Sequence, residues 1–403
     1  MQPDEQTRRD WIGSCAVVTA GMAGLAGCMD GSDGENGSDG SSTGDETEAS
    51  GSETGEFGAW PMVRYNAANR LSTPHDGIDG EPELAWLAEF EGWVHPPVVY
   101  DDVAFVGHGD DTYSAVDLHD GTVLWDHETP TTGVPTVTED AVYVPGDGVE
   151  ALDRENGDVH WTTEHESVRT LRSYDGELYV GLEDEIAVLD PDGEEQLSFE
   201  TRSMVHGIAL DDDGIYVRSL VDRDELRYAL VGYDRETGEE RWEHELEHES
   251  VLGTKRARTM PVHEGAVYTV ASESVVRIDA TTGDLEEVVE FEHISSRPTI
   301  HDGMVTTHIS MERYDIETGE QLDVGDNDTG LASPPVHAGG SYYGLGVTVV
   351  LEGTDLFKID ADSMTVDSRT EAPSEGFVMH TTPVVLDGLV LTSIDDHGLA
   401  AFE

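Results

Sequence analysis

The sequence of 403 residues contains two cysteines, Cys15 and Cys28, both within the first 28 positions. From residue 29 onward neither a disulfide nor a thiolate metal site can form. Lysine occurs only as Lys255 and Lys358, within 21 basic residues set against 86 acidic ones. A net charge of −65 leaves no basic footprint for nucleic acid. There is no Gly-x-Ser-x-Gly elbow, no phosphate-binding Gly-Lys loop and no His-Glu-x-x-His. The 17 histidines are scattered, with no spacing that marks a metal site. Asp110-Asp111 and Asp211-Asp212-Asp213 read as solvated loops in so acidic a chain. The one apolar run near the amino terminus, Ala16 to Gly27, is too short to span a bilayer as a stable helix.

The acid is spread across the whole chain, unlike a single acidic tail. At ordinary salt such a chain repels itself, whereas molar salt screens it nearly completely. The expectation is adaptation to molar salt and an extremely halophilic archaeal source. That is a statement about solvent and identifies no partner.

What the sequence does contain is a repeat. Ala115–Trp125 (AVDLHDGTVLW) returns as ALDRENGDVHW at Ala151–Trp161 and as GYDRETGEERW at Gly232–Trp242. Gly121, Gly157, Gly193, Gly238, Gly283 and Gly319 follow at spacings of 36, 36, 45, 45 and 36. A period in this range signals stacked modules. Ahead of each motif stands a turn and an alternating apolar run, such as EDAVYV at 139–144 or EGAVYTV at 264–270, the mark of a half-buried strand. The Asp and Gly then close a tight hairpin, Gly because the turn needs positive φ. Each unit therefore supplies about four short antiparallel strands, as in a propeller blade.

The motif resembles the tryptophan-docking repeat of the pyrroloquinoline-quinone-type β-propellers, over about residues 60–403. The resemblance implies that each Trp packs between neighbouring blades. Trp125, Trp161 and Trp242 fit it, while Leu197, Glu287 and Asp323 stand at the same offset elsewhere and imply a different docking. The fold expected is all-β, an eight-bladed propeller. His380–Glu403 supplies three strands of a last blade, and Leu84–Phe90 looks like a fourth strand without its blade, so the amino-terminal strand closes the ring. Closure of this kind removes sheet edges. Seven blades is the alternative, because the unit around Met364 lacks its glycine. The longer spacings are assigned to middle loops at Ser219–Tyr228 and around Val347–Thr354.

Residues 1–28 read as an export signal. Thr7-Arg8-Arg9-Asp10-Trp11-Ile12 resembles a twin-arginine consensus, and Leu25-Ala26-Gly27-Cys28 resembles a lipobox, with Cys28 as the lipid attachment site. An uncleaved amino-terminal anchor is the alternative. Residues 29–58 are Gly, Ser, Asp, Glu and Thr with almost nothing apolar and read as a disordered tether. The expected location is exported and lipid-anchored at the outer face of the cytoplasmic membrane. The propeller occupies residues 60–403.

The resemblance implies two functional classes. Some members are quinone-dependent dehydrogenases, with the cofactor and a calcium ion over the channel, and others are non-catalytic propellers, including an envelope lipoprotein that helps assemble outer-membrane barrels. The enzymes' adjacent cysteines and long insertions are missing here, and no calcium-ligand set can be placed. The expectation is a non-catalytic binding or assembly scaffold without cofactor or metal, with a quinone-dependent oxidoreductase as the alternative. One candidate site follows from register. Upstream of the turn in each unit, at the start of the innermost strand, stand His95, Arg169, His206, Arg258, Arg297 and His380. Six of eight blades would place a cation at one mouth of the channel, forming a funnel for a small anion or an acidic segment of a protein partner. Ordinary pairing of these residues with nearby Asp and Glu is the alternative.

Overall fold

A computed structural model of the chain describes residues 55–403 apart from 110, 131–132, 223–226, 247–259, 272–273, 291–297, 308–310, 326–330, 348–353, 374–380 and 395. Cys28, the export signal and nearly all of the tether lie outside the described residues. The described residues form eight four-stranded antiparallel sheets and no helix. In seven blades the four strands are consecutive in sequence. Blade 1 begins with Val98–Tyr100, blade 2 with Thr136–Val137, blade 3 with Thr170–Tyr174 and blade 4 with Met204–Leu210. Blades 5, 6 and 7 begin with Val262–His263, Thr299–His301 and Val336–Ala338. These first strands are the innermost ones, and several lie directly against the first strand of the next blade.

Blade 8 is discontinuous. Val384–Val385, Val390–Ile394 and Gly398–Phe402 give three strands, and Leu84–Ala88 pairs antiparallel with the last of them as the fourth. Eight blades and the shared closing blade are therefore as the repeat predicts. The unit that lacks its glycine keeps its turn, because Met364 itself adopts a positive φ of 57° and donates its N–H to Asp360 O at 2.9 Å. The loop expected at 219–228 is mostly ladder. Ser219 pairs with Ala229, Leu220 with Tyr228 and Asp222 with Arg227, so the hairpin is lengthened by strand.

The tryptophans dock as the resemblance implies. Trp125 of blade 1 donates its indole N–H to Arg154 O of blade 2 at 2.9 Å, and Trp161 does the same to Pro191 O of blade 3. Trp242 of blade 4 reaches Ala280 O of blade 5. In each case the acceptor follows the motif Asp directly. The ring lies on the turn glycine of the next blade: a Cβ added at Gly157 would lie 2.8 Å from the Trp125 ring. Only glycine allows both this contact and the turn's positive φ. Trp86 of the closing strand docks on blade 1 in the same way, through Leu118 O at 2.7 Å.

Where the Trp is missing, other groups take its place. Phe199, two residues beyond Leu197, lies against Gly238. Beside Glu287, the carbonyl of Val288 approaches Gly319. At Asp323 the solution is ionic. Asp323 pairs with Arg313 at 2.5 Å, and the Arg313 guanidinium donates to Ala361 O, the position the indole N–H reaches elsewhere.

Candidate functional site

Each innermost strand runs from one mouth of the ring to the other. At the mouth where these strands end, the segment from Phe57 to Gly77 forms a strap that makes one circuit of the ring. Phe57 O accepts from Asp387 N of blade 8, and Trp60 exchanges two backbone bonds with Val99 of blade 1. Pro61 O accepts from Val137 N of blade 2, and Ala67 O from Leu210 N of blade 4. Ala68 O, Arg70 O and Leu71 O accept from Val262, Ile300 and His337 of blades 5, 6 and 7. Gly77 O then accepts from Gly388 N and returns the strap to blade 8. Blade 3 is reached through a side chain, with Arg172 donating to Asn69 Oδ1 at 3.1 Å. Trp60 and Leu71 are fully buried and anchor the strap by apolar area.

A clasp joins the strap's two ends. His75 Nδ1 lies 3.0 Å from Asp387 Oδ2, its Nε2 lies 2.8 Å from Ala59 O, and Asp76 N donates to Asp387 Oδ1.

Under the strap three histidines stand at the ends of consecutive inner strands: His263, His301 and His337. The rings of His301 and His337 stack with centroids 3.2 Å apart, and Ser72 Oγ of the strap lies 3.5 Å from His337 Nδ1. Burial foremost, then His301 and Arg313 beside it, lowers the His337 pKa to about 3. Burial also lowers His301, with Arg313 adding and Asp302 opposing. His263 is lowered by burial, with Arg70 adding and Glu264 opposing. This neutral imidazole cluster was not among the sequence candidates. Its signal is legible all the same as Val-His-Glu-Gly, Ile-His-Asp-Gly and Val-His-Ala-Gly at 262–265, 300–303 and 336–339.

Of the six sequence-predicted residues, His95, Arg169 and His206 are described, at the opposite mouth, where the inner strands begin. His95 precedes the first strand of blade 1, is half-buried, and its carbonyl accepts from Ser393 Oγ of blade 8 at 2.7 Å. Arg169 precedes the first strand of blade 3, is exposed, and pairs with Glu183 of its own blade at 3.4 Å. His206 lies in the first strand of blade 4 at a bulge, between Val205 paired with Ser219 and Gly207 paired with Arg218. Its ring stands edge-on to Tyr228, with centroids 5.4 Å apart. Arg258, Arg297 and His380 lie outside the described residues. The three that are described thus stand at or near the starts of inner strands, and Arg169 pairs within its own blade.

A calcium ion of the kind the resemblance would bring requires a set of oxygen ligands. Among the described residues no group of three His, Cys, Asp or Glu is arranged to hold a metal ion.

Comparison with known proteins agrees with the geometry. The family model described as outer membrane protein assembly factor BamB matches residues 78–170 and 145–346. No curated protein sequence matches the chain. Among solved structures, BamB from Moraxella catarrhalis is 15% identical with a TM-score of 0.59, covering 80% of this chain and 99% of that one. The computationally designed Ika8 protein is 15% identical with a TM-score of 0.63, covering 79% and 99%. The quinohemoprotein alcohol dehydrogenase from Comamonas testosteroni is 12% identical with a TM-score of 0.61, covering 85% and 80%. At these identities the structural likeness speaks for fold alone.

Proposed function

Because the chain belongs to the propeller family described as outer membrane protein assembly factor BamB, we propose that it is a non-catalytic binding or assembly scaffold. Lipid on Cys28 holds it at the outer face of the cytoplasmic membrane, and residues 29–58 serve as the tether. The observation that favours one working face is the strap. It occupies the mouth where the inner strands end, which supports the opposite mouth as the working face. There His95, Arg169, His206, Arg258, Arg297 and His380 would form a positive funnel in a negative molecule and take a small anion or an acidic segment of a partner.

Retention of membrane proteins from native membranes in molar salt tests this reading. Replacing Arg169, Arg258 and Arg297 by Gln should reduce retention, and equal retention by the parent and the triple variant would overturn the funnel. Cys28→Ser should release the protein from the membrane fraction, and unchanged fractionation would remove the lipid anchor. The oxidoreductase alternative draws on the fold it shares with the Comamonas enzyme. A quinone absorption band in protein purified in salt would favour that alternative and count against the scaffold.

A further inference from the structure

Arg172 meets the strap through Asn69. It belongs to the innermost strand of blade 3 and is 2% exposed. Its Nη1 donates to Leu171 O at 2.8 Å and to Thr170 Oγ1 at 3.4 Å, and its Nη2 donates to Asn69 Oδ1 at 3.1 Å. All three acceptors are neutral oxygens. Asn69 is itself 1% exposed and is fixed by donating Nδ2 to Ile208 O of blade 4. The guanidinium is thus held between the inner strands of blades 3 and 4, beneath the strap.

Of the five N–H groups of an arginine, Nε–H and one on Nη2 remain. Nε is fully buried and has no hydrogen-bond partner. Among the described residues no carboxylate pairs with Arg172, and burial lowers its pKa to about 10. Among the described residues the other buried guanidiniums are answered differently. Arg313 pairs with Asp323, and Arg218 lies 4.5 Å over the Tyr228 ring. Leaving a charge and a donor uncompensated in the interior is strongly unfavourable. The side-on edge formed by Nε and Nη2 is the edge with which arginine grips anions.

We propose that this edge of Arg172 is a binding site for a small inorganic anion of halide size, locked in place by the strap through Asn69. The anion supplies the missing counter-charge at the seam between blades 3 and 4. In a protein suited to molar salt such a site is filled by the solvent's own anion, so the strap's attachment to blade 3 depends on which anion is present as well as on ionic strength.

Bromide tests the site directly, because its anomalous scattering distinguishes it from water. Crystals of the full chain grown or soaked in bromide should show an anomalous peak in hydrogen-bonding contact with Arg172 Nε. The peak should vanish in Arg172→Gln. In solution, replacing chloride by gluconate at constant ionic strength should lower the Tm of the parent by about 2 °C or more relative to Arg172→Gln. If Arg172→Gln fails to fold, the parent's bromide map decides. A parent map without a peak at Nε, a peak that persists in Arg172→Gln, or equal anion dependence of both proteins would overturn the proposal.

Discussion

Met364 shows two residue-scale effects in opposition. Its positive φ costs about 1–2 kcal/mol for a residue with a Cβ, yet its side chain is only 1% exposed. Removing a buried methionine side chain costs about 2–5 kcal/mol. Met364→Gly should therefore destabilise the protein by about 1–3 kcal/mol although it restores the repeat's consensus. Denaturant titration in molar salt measures this, and a gain in stability would show that the backbone strain dominates. His337 carries a second residue-scale prediction. Its pKa is lowered to about 3 in the folded chain, against about 6.5 in an unfolded one. The unfolded state therefore binds the proton first, and stability falls as pH drops from about 6.5 toward 3, by up to about 1.4 kcal/mol per pH unit. The stacked His301 and the nearby His263 shift in the same direction. Between pH 7 and 5 His337→Phe should flatten the stability profile at fixed molar salt, and an unchanged slope would assign the acid sensitivity to other groups.

At the scale of the element, the closing strand and the strap are separate devices. Leu84–Ala88 completes blade 8 through backbone pairing and docks on blade 1 through Trp86. Deleting residues 60–90 removes both devices and leaves blade 8 with an exposed edge. Aggregation or loss of cooperative unfolding is expected, and a soluble truncation with an unchanged melting curve would sink the account. Trp86→Ala isolates the docking, and at 9% exposure it should cost about 3–5 kcal/mol. The sequence made the blades legible because their determinants are local: a turn glycine, an alternating strand, an Asp before the hairpin. It made the closing strand legible because a fourth strand was missing at one end and spare at the other. The strap was not legible. It is irregular, with positive φ at Arg64, Tyr65, Asn69 and Leu71, and most of its bonds are backbone carbonyls meeting distant blades, which leave no side-chain pattern. The Arg313–Asp323 pair was hidden for a related reason, since Asp323 alone reads as a lost tryptophan.

For the whole molecule, charge decides the conditions under which the ring exists. Among the described residues nearly every carboxylate is at least partly exposed, while the strap end holds His75, Arg172, His263, His301 and His337. The Debye length grows from about 3 Å at 1 M salt to about 30 Å at 0.01 M. Dilution to low ionic strength should unfold the propeller, and circular dichroism at stepped salt follows it. Stability indifferent to salt would mean that the acidic surface is compensated by bound cations. The candidate mouth was only partly legible, because a strand-start register gives position along the chain, whereas Arg169 turns toward Glu183 and His206 sits on a bulge that register alone cannot foresee.

The circular path of the strap also has a mechanical consequence. Any pull transmitted through the chain ahead of Gly55 reaches the strap before it reaches the strand that closes blade 8. The pull meets first the bonds of Glu56 and Phe57 to Asp102 and Asp387, then the clasp of Ala59, His75 and Asp387, and then backbone bonds to one blade after another. These bonds are loaded one after another, so the pull reaches Leu84–Ala88, the strand that closes blade 8, only after the strap has been released from the ring.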